Sequence, residues 1–374
     1  MKKPGAAPRS IDPLLAALIG FLVFAGFLIF ASASLGLLAR SGASFSSVAM
    51  SQFFFGIVGG FLALLITANI YYRTWRRYAF YIFLASFALT LLVFVPGLGI
   101  THGGATRWID LGFTTMQPSE FLKLGYIIYV ATWLSGMQQH VTTWRYGVLP
   151  FLCISAATGG VLLAQPDTDA FAIILAAGLA MFFAAGARWR DLFIIGCVGV
   201  FIIAAVAYAR PYVLERITTF LDPGSDQLGS GYQIHQSLIA VGSGGWWGRG
   251  FGQSIQKFEY LPEPIGDSIF AVYAEEFGFV GSVILVLVLT LFVFRGFKIA
   301  TQSPDLFGTL IVVGIMTTVA LQAFLNISSM IGLVPLSGLP LPFISHGGTA
   351  LFSLLLALGI VLNVSKYRGG ERTA

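Results

Sequence analysis

A single carboxylate, Asp267, closes a polar stretch over residues 229–267 and stands just before a long apolar run. The stretch contains Gly231-Tyr232-Gln233, Gly244-Gly245-Trp246-Trp247-Gly248-Arg249-Gly250, Gln256-Lys257 and Leu261-Pro262-Glu263. A carboxylate partly withdrawn from water holds its proton more tightly, which suits it to take a proton from a hydroxyl group. Arg249 and Lys257 supply positive charge that could steady an anion nearby. Asp267 also follows Gly266 at the head of a helix, so simple N-capping is the competing reading.

Other charges lie where apolar surroundings make them costly. Glu120 and Lys123 are three residues apart at the start of an apolar run that opens with Pro118-Ser119. That spacing puts them on one helical face, as a self-contained pair or as a polar wall of a cavity. Asp167 and Asp169 follow Pro166 and are candidates either for a helix cap or for the site. Glu275 and Glu276 lie eight and nine residues beyond Asp267, and at least one of them should face the protein interior. The four histidines show no metal-ligand spacing. The chain has no phosphate-binding Walker loop and no G-x-S-x-G elbow. Trp246-Trp247 reads as an interfacial anchor or as a stacking platform for sugars.

The elements that must position these groups are membrane helices. Of 374 residues, 57% are apolar and only 10% charged, far below the ~25% charged residues of soluble domains. The net charge of +5 does not imply nucleic acid, because the basic residues are not pooled in one patch but fall at the ends of apolar runs. Runs near 14–38, 48–69, 78–98, 119–136, 148–164, 169–186, 191–209, 268–294, 306–331 and 345–365 predict about ten transmembrane helices in an all-α fold. Ala31-Ser32-Ala33 resembles a signal cleavage site, but the first run is too long for a signal core and reads as a retained helix. Cys153 and Cys197, both inside apolar runs, read as small core residues.

One set of connections holds Lys2, Lys3, Arg73, Arg76, Arg77, Arg145, Arg188, Arg190, Arg295, Lys298, Lys366 and Arg368; the alternate set is poorer in basic residues. The positive-inside rule then places both termini in the cytoplasm and the 210–267 loop outside, between helices 7 and 8. The expected organisation is a tail over 1–12, a membrane domain over 13–367 and a tail over 368–374.

Several segments together resemble the SEDS family (FtsW/RodA/SpoVE). They are Arg216-Ile217-Thr218-Thr219-Phe220-Leu221-Asp222-Pro223, the run from Gly231 to Ala240, the glycine–tryptophan segment, Gln256-Lys257 and Tyr260-Leu261-Pro262-Glu263. Asn326, Gly332-Leu333-Val334-Pro335, Gly338-Leu339-Pro340 and Ile344-Ser345-His346-Gly347-Gly348-Thr349-Ala350 extend the match, as do Gly104 to Asp110 and Pro118 to Lys123. The resemblance implies a multi-pass enzyme of the bacterial cytoplasmic membrane that polymerises lipid II into glycan strands. It implies Asp267 as the essential acid and a class B penicillin-binding protein (an FtsI-like transpeptidase) as partner. FtsQLB-like regulators and action at the division septum go with the FtsW and SpoVE branch, which these motifs resemble more than RodA.

On this reading the substrate-contacting set is Arg107, Glu120, Lys123, Asp167, Arg216, Gln236, Arg249, Lys257, Glu276 and Ser345, with Glu263 at the partner-activation surface. The cations would hold the pyrophosphate alone or with a divalent Mg or Mn ion; no organic cofactor is expected. Three positions depart from the family pattern. Ile265-Gly266-Asp267-Ser268 stands for the usual His-Thr-Asp-Phe, His346 for Tyr, and Asp169 for Gly. A lipid II flippase and a non-catalytic division scaffold are the rival readings.

Overall fold

The structure is a computed structural model that describes residues 10–40, 48–102, 105–112, 115–209, 211–222, 229–258 and 260–368. Lys2, Lys3, Gly104, Pro223 and nearly all of both expected tails lie outside the described residues. The described helices are α1 (Pro13–Arg40), α2 (Val48–Asn69), α3 (Tyr72–Leu91), α4 (Pro118–Gly136), α5 (Trp144–Ala164) and α6 (Thr168–Ala184). They continue with α7 (Trp189–Ala209), α8 (Pro211–Leu221), α9 (Ser230–Ser243), α10 (Ile269–Thr301), α11 (Leu306–Met330) and α12 (Gly348–Ser365).

Eight of these, α1–α3, α5, α7 and α10–α12, are long and apolar enough to cross a membrane. The other two expected spans are helices as well. α6 is shorter, at 17 residues, and α4 carries Glu120 and Lys123 in its first two turns. α3 begins six residues before the expected run, because Arg73, Arg76 and Arg77 enter its first turns rather than the preceding loop. Asn363 on α12 meets that start by accepting the Tyr72 amide at 2.8 Å.

Burial divides the bundle into a centre and a rim. In α12 and α11, 78% and 56% of the apolar stretch is buried, against 22% in α3 and α7. α12 packs closely on α2: the Thr67 hydroxyl donates to Leu356 O at 2.9 Å, and a Cβ at Gly359 would collide with Thr67 and Leu64. Cys153 and Cys197 are unpaired and exposed on the outer faces of α5 and α7. The core assignment fails for them because a membrane helix is apolar on its lipid side too.

Two features depart from a plain helical bundle. A small antiparallel sheet joins α3 to α4, with β1 (Gly99–His102), β2 (Ala105–Asp110) and β3 (Thr115–Met116) in that order. It is too short to show in hydropathy, and it sets the position of Arg107. The 210–267 segment is folded rather than open, holding α8 and α9. Opposite it, buried Asp12 takes Arg295 (2.6 Å) and Arg368, tying α1, α10 and the end of α12.

α10 is broken at Gly278 (φ 67°). The loop over 245–250 enters the break and satisfies the backbone groups that the missing turn frees. Arg249 N and Gly250 N donate to Glu275 O and Glu276 O (both 3.0 Å), while Phe279 N and Val280 N donate to Gly245 O (2.8 Å) and Trp246 O (3.1 Å). Irregular backbone is tolerated near a membrane only when satisfied in this way. Beyond the break α10 continues past Arg295 and Lys298 near its other end. The half-helix 269–277 and Asp267 lie at the end of α10 remote from those cations. A Cβ at Gly278 would strike the Gly248 amide and lie 2.8 Å from Trp246 C. Gly278→Ala should cost at least about 1–3 kcal/mol, read as a lowered melting temperature; an unchanged melt would show that the break tolerates a side chain.

Candidate active site

Asp267 occupies the turn before α10. The N-cap of that helix is Ser268, and no side chain caps it, so the Asp267 carboxylate is not consumed by capping. It receives the Gln233 amide of α9 at 3.3 Å, and the same amide donates to Ser268 Oγ at 2.9 Å. Asp267 keeps part of its surface exposed, yet its carboxyl is pushed up to about 7. Burial is the first cause and the charge of Glu263 the second, with Gln233 and Arg216 acting the other way. Glu263 sits in the preceding turn in a left-handed conformation (φ 45°) and is exposed. A carboxylate poised near neutrality is matched to general-base work.

Arg216 of α8 reaches the site through Asp169 (3.1 Å), whose Oδ2 also accepts Gly338 N at 3.2 Å. The departure at Asp169 thus adds a tie between α6, α8 and the segment over 331–347. Ser345 in that segment donates to Gly266 O at 2.6 Å. The His346 amide donates to Ile265 O at 2.7 Å, while burial holds its ring near 4 and so neutral.

Arg107, Glu120, Lys123 and Asp167 form a second group. Lys123 and Glu120 pair at 2.8 Å, as the three-residue spacing predicts, and Ser353 donates to Glu120 at 3.4 Å. Asp167 caps α6 through Ala170 N (3.3 Å), takes Ser119 Oγ (3.4 Å) and faces Arg107 (3.7 Å). Burial raises its carboxyl and Arg107 opposes the rise. Arg107 is also held by Gln165 O (3.3 Å) and Pro166 O. A narrow cavity of about 50 Å³ runs between α4, α11 and α12, lined by Glu120, Lys123, Gln322, Ser345 and Ser353 among mostly apolar side chains. Ser345 joins this cavity to the Asp267 turn.

Lys257, Glu276 and Arg249 form a third group, and here the expectation is corrected. Lys257 is fully buried, and its ammonium is shared among Glu276 (2.8 Å), Gly252 O (2.9 Å) and Ser32 (3.2 Å). Three donors meet three acceptors, leaving none for a pyrophosphate. Glu276 is spent on Lys257 and on Ser32 (2.7 Å). Glu275 collects Ser254 Oγ (2.5 Å), Ile255 N (3.1 Å), Gln256 N (3.2 Å) and Arg249 (3.3 Å). These residues clamp the 249–257 loop to α10 and, through Ser32, to α1.

Gln236 lies on α9, one turn from the glutamine that touches the acid, Gln233. Gln233 and Asn326 escaped the functional reading; Asn326 is one of two amides, with Gln322, inside the membrane helix α11, and that was the available signal. Among the described residues, no three His, Cys, Asp or Glu side chains gather as a metal cage. A Mg-type ion held mainly through substrate phosphates needs only one or two carboxylates. An apolar groove runs between α10 and α11 as two cavities of about 430 and 380 Å³ that share Val286, Ile327 and Ile331.

Comparison with known proteins agrees with this arrangement. Stage V sporulation protein E of Bacillus subtilis (strain 168) is 41% identical over 308 residues, covering 82% of this chain and 84% of the relative. A probable peptidoglycan glycosyltransferase FtsW of Geobacter sp. (strain M18) is 39% identical over 306 residues, covering 82% and 83%. A solved chain described under "Structural coordination of polymerization and crosslinking by a peptidoglycan synthase complex" superposes with TM-score 0.78 at 28% identity, covering 95% of this chain and 97% of that one. The model of the family described as "Cell cycle protein" (FtsW/RodA/SpoVE) matches residues 13–369. A chain matched over nearly its whole length by that model, and this similar to SpoVE and FtsW proteins, belongs to the FtsW/RodA/SpoVE family.

Proposed function

We propose that this chain is a peptidoglycan glycosyltransferase of the division branch, polymerising lipid II into glycan strands. The observation that carries the proposal is Asp267: an uncapped, partly exposed carboxylate raised to about 7, tied through Ser345 to the cavity that Glu120 and Lys123 line. The 4-hydroxyl of one sugar unit attacks the anomeric carbon of a lipid-linked donor. Asp267 takes the hydroxyl proton as the new C–O bond forms, and undecaprenyl pyrophosphate leaves with its bonding electron pair, inverting the centre. Arg216, Lys123 and Arg107 are the cations proposed to steady the leaving group.

In this reading the chain lies in the bacterial cytoplasmic membrane at the septum as a ten-span protein, with both termini inside and the 210–267 segment outside. The partner is a class B penicillin-binding protein, with FtsQLB-like regulators acting through it. The α10–α11 groove offers an apolar surface, open to the bilayer, for a prenyl tail or a partner's membrane helix. Glu263 is exposed beside the acid, where a partner can change the charge that Asp267 feels.

The proposal is tested by supplying lipid II to the purified chain with and without the partner transpeptidase. Glycan polymer should form with the partner; lipid II crossing vesicle bilayers, with no polymer under any condition, would indicate the flippase instead. In the active complex the rate should rise with pH through about 7. Glu263→Gln removes a charge that holds the acid up, so the midpoint should move to lower pH. A midpoint that stays in place would remove Glu263 from the site.

A further inference from the structure

The three peptide carbonyls around the acid, those of Ile265, Gly266 and Asp267, precede the first hydrogen bond of α10, which Ala271 N makes to Ser268 O at 3.0 Å. They have no partner within the helix and need donors from elsewhere. Each receives one from the C-terminal part of the chain. His346 N donates to Ile265 O at 2.7 Å, Ser345 Oγ to Gly266 O at 2.6 Å, and Asn326 Nδ2 to Asp267 O at 2.7 Å.

Asn326 is fully buried. Its other amide hydrogen goes to Leu339 O at 2.8 Å, so one side chain bridges the acid's own peptide and the 331–347 segment. The amide orientation is fixed, because turning it over would set Oδ1 against two carbonyls. Oδ1 itself is buried without a donor, a cost of about 1–3 kcal/mol that the two short bonds must offset. The same segment lines the cavity with Pro340, Leu341, Pro342, Phe343 and Ser345. Gln52 of α2 braces it through Ser345 O (3.4 Å) and Gly347 N (3.0 Å).

We infer that Asn326, with Ser345 beside it, is a positioning residue: it holds the peptide that carries the Asp267 carboxylate and does not touch substrate. The inference rests on the reading of Asp267 as the base. A buried asparagine that serves stability alone would lower the melting temperature but leave the chemistry of the folded molecules unaltered. A positioning residue changes turnover and the acid's titration. The charged groups facing Asp267 are Glu263 from the preceding turn and Arg216 from α8. α9 and α11 present the neutral Gln233 and Asn326, and the 331–347 segment presents Ser345 and the neutral His346. Loosening the turn admits water, which removes the largest cause of the raised value, so the midpoint of the pH profile should fall.

The test is steady-state polymerisation of lipid II by the transpeptidase complex, with parent, Asn326→Ala, Ser345→Ala and Asp267→Ala, each checked for folding by thermal melting. Asn326→Ala should lower kcat about 100-fold and Ser345→Ala about tenfold. For both, KM should stay near the parent value and the midpoint should lie below about 7. Parental kcat, or lowered stability with an unmoved pH profile, would overturn the inference. A raised KM with unchanged kcat would instead place the residue against substrate. If Asn326→Ala does not fold, the smaller Ser345→Ala change decides alone. Retained activity in Asp267→Ala would sink the base reading itself, a result separate from the other two variants.

Discussion

Lys257→Met is expected to destabilise the protein by about 3–5 kcal/mol, the usual penalty for leaving one member of a buried ion pair uncompensated. Glu276 would keep Ser32 as a partner at 2.7 Å and lose the ammonium at 2.8 Å. The effect should be large because both side chains are essentially sealed from water. Replacing both members with apolar residues of similar volume should recover much of the loss, since the desolvation cost then disappears with the charges. Thermal unfolding of the single and double variants measures this. A single variant melting with the parent would mean that the 249–257 loop is held by Glu275 and the backbone bonds alone. The loop also fills the break in α10, so the destabilised variant should lose activity through misplacement of the half-helix that Asp267 precedes.

Asp267→Ala is expected to lower turnover by about 10²–10⁴-fold, the range for loss of a general base. Asp267→Asn should be equally impaired, because an amide of the same shape cannot take up a proton. Neither change should disturb the fold. The carboxylate accepts a long bond from Gln233, 3.3 Å, and one from its own backbone amide, and it caps no helix. The peptide carbonyl that Asn326 holds remains in both variants. This separates the two predictions: Lys257 is costly to stability, and Asp267 to chemistry.

The apolar runs made the helices legible, since a helix that must cross hydrocarbon shows itself by length and composition. Glu120 and Lys123 were legible as a pair because a spacing of three is read directly from helical geometry. The broken α10 was not, because Gly278 lies inside a single apolar run long enough for one helix and its partners are more than 25 residues earlier in the chain. For the same reason Lys257 was read as an available cation. Its three partners come from α1, from its own loop and from α10, and spacing cannot predict such a meeting. The changed neighbours of Asp267 also become intelligible. His346 and Ser345 address the carbonyls of Ile265 and Gly266, and a carbonyl is present whatever side chain stands there. Asp169 likewise takes its own tie to Arg216 and Gly338.

The central claim is that Asp267 performs base catalysis of glycan polymerisation above the membrane. It is tested most directly by comparing lipid II polymerisation in two purified, transpeptidase-bound preparations, the parent and Asp267→Ala, matched for melting temperature and partner binding. The account predicts glycan strands from the parent and, from the folded variant, a rate lower by at least about 100-fold. Polymerisation by the folded, partner-bound variant at the parental rate would contradict it.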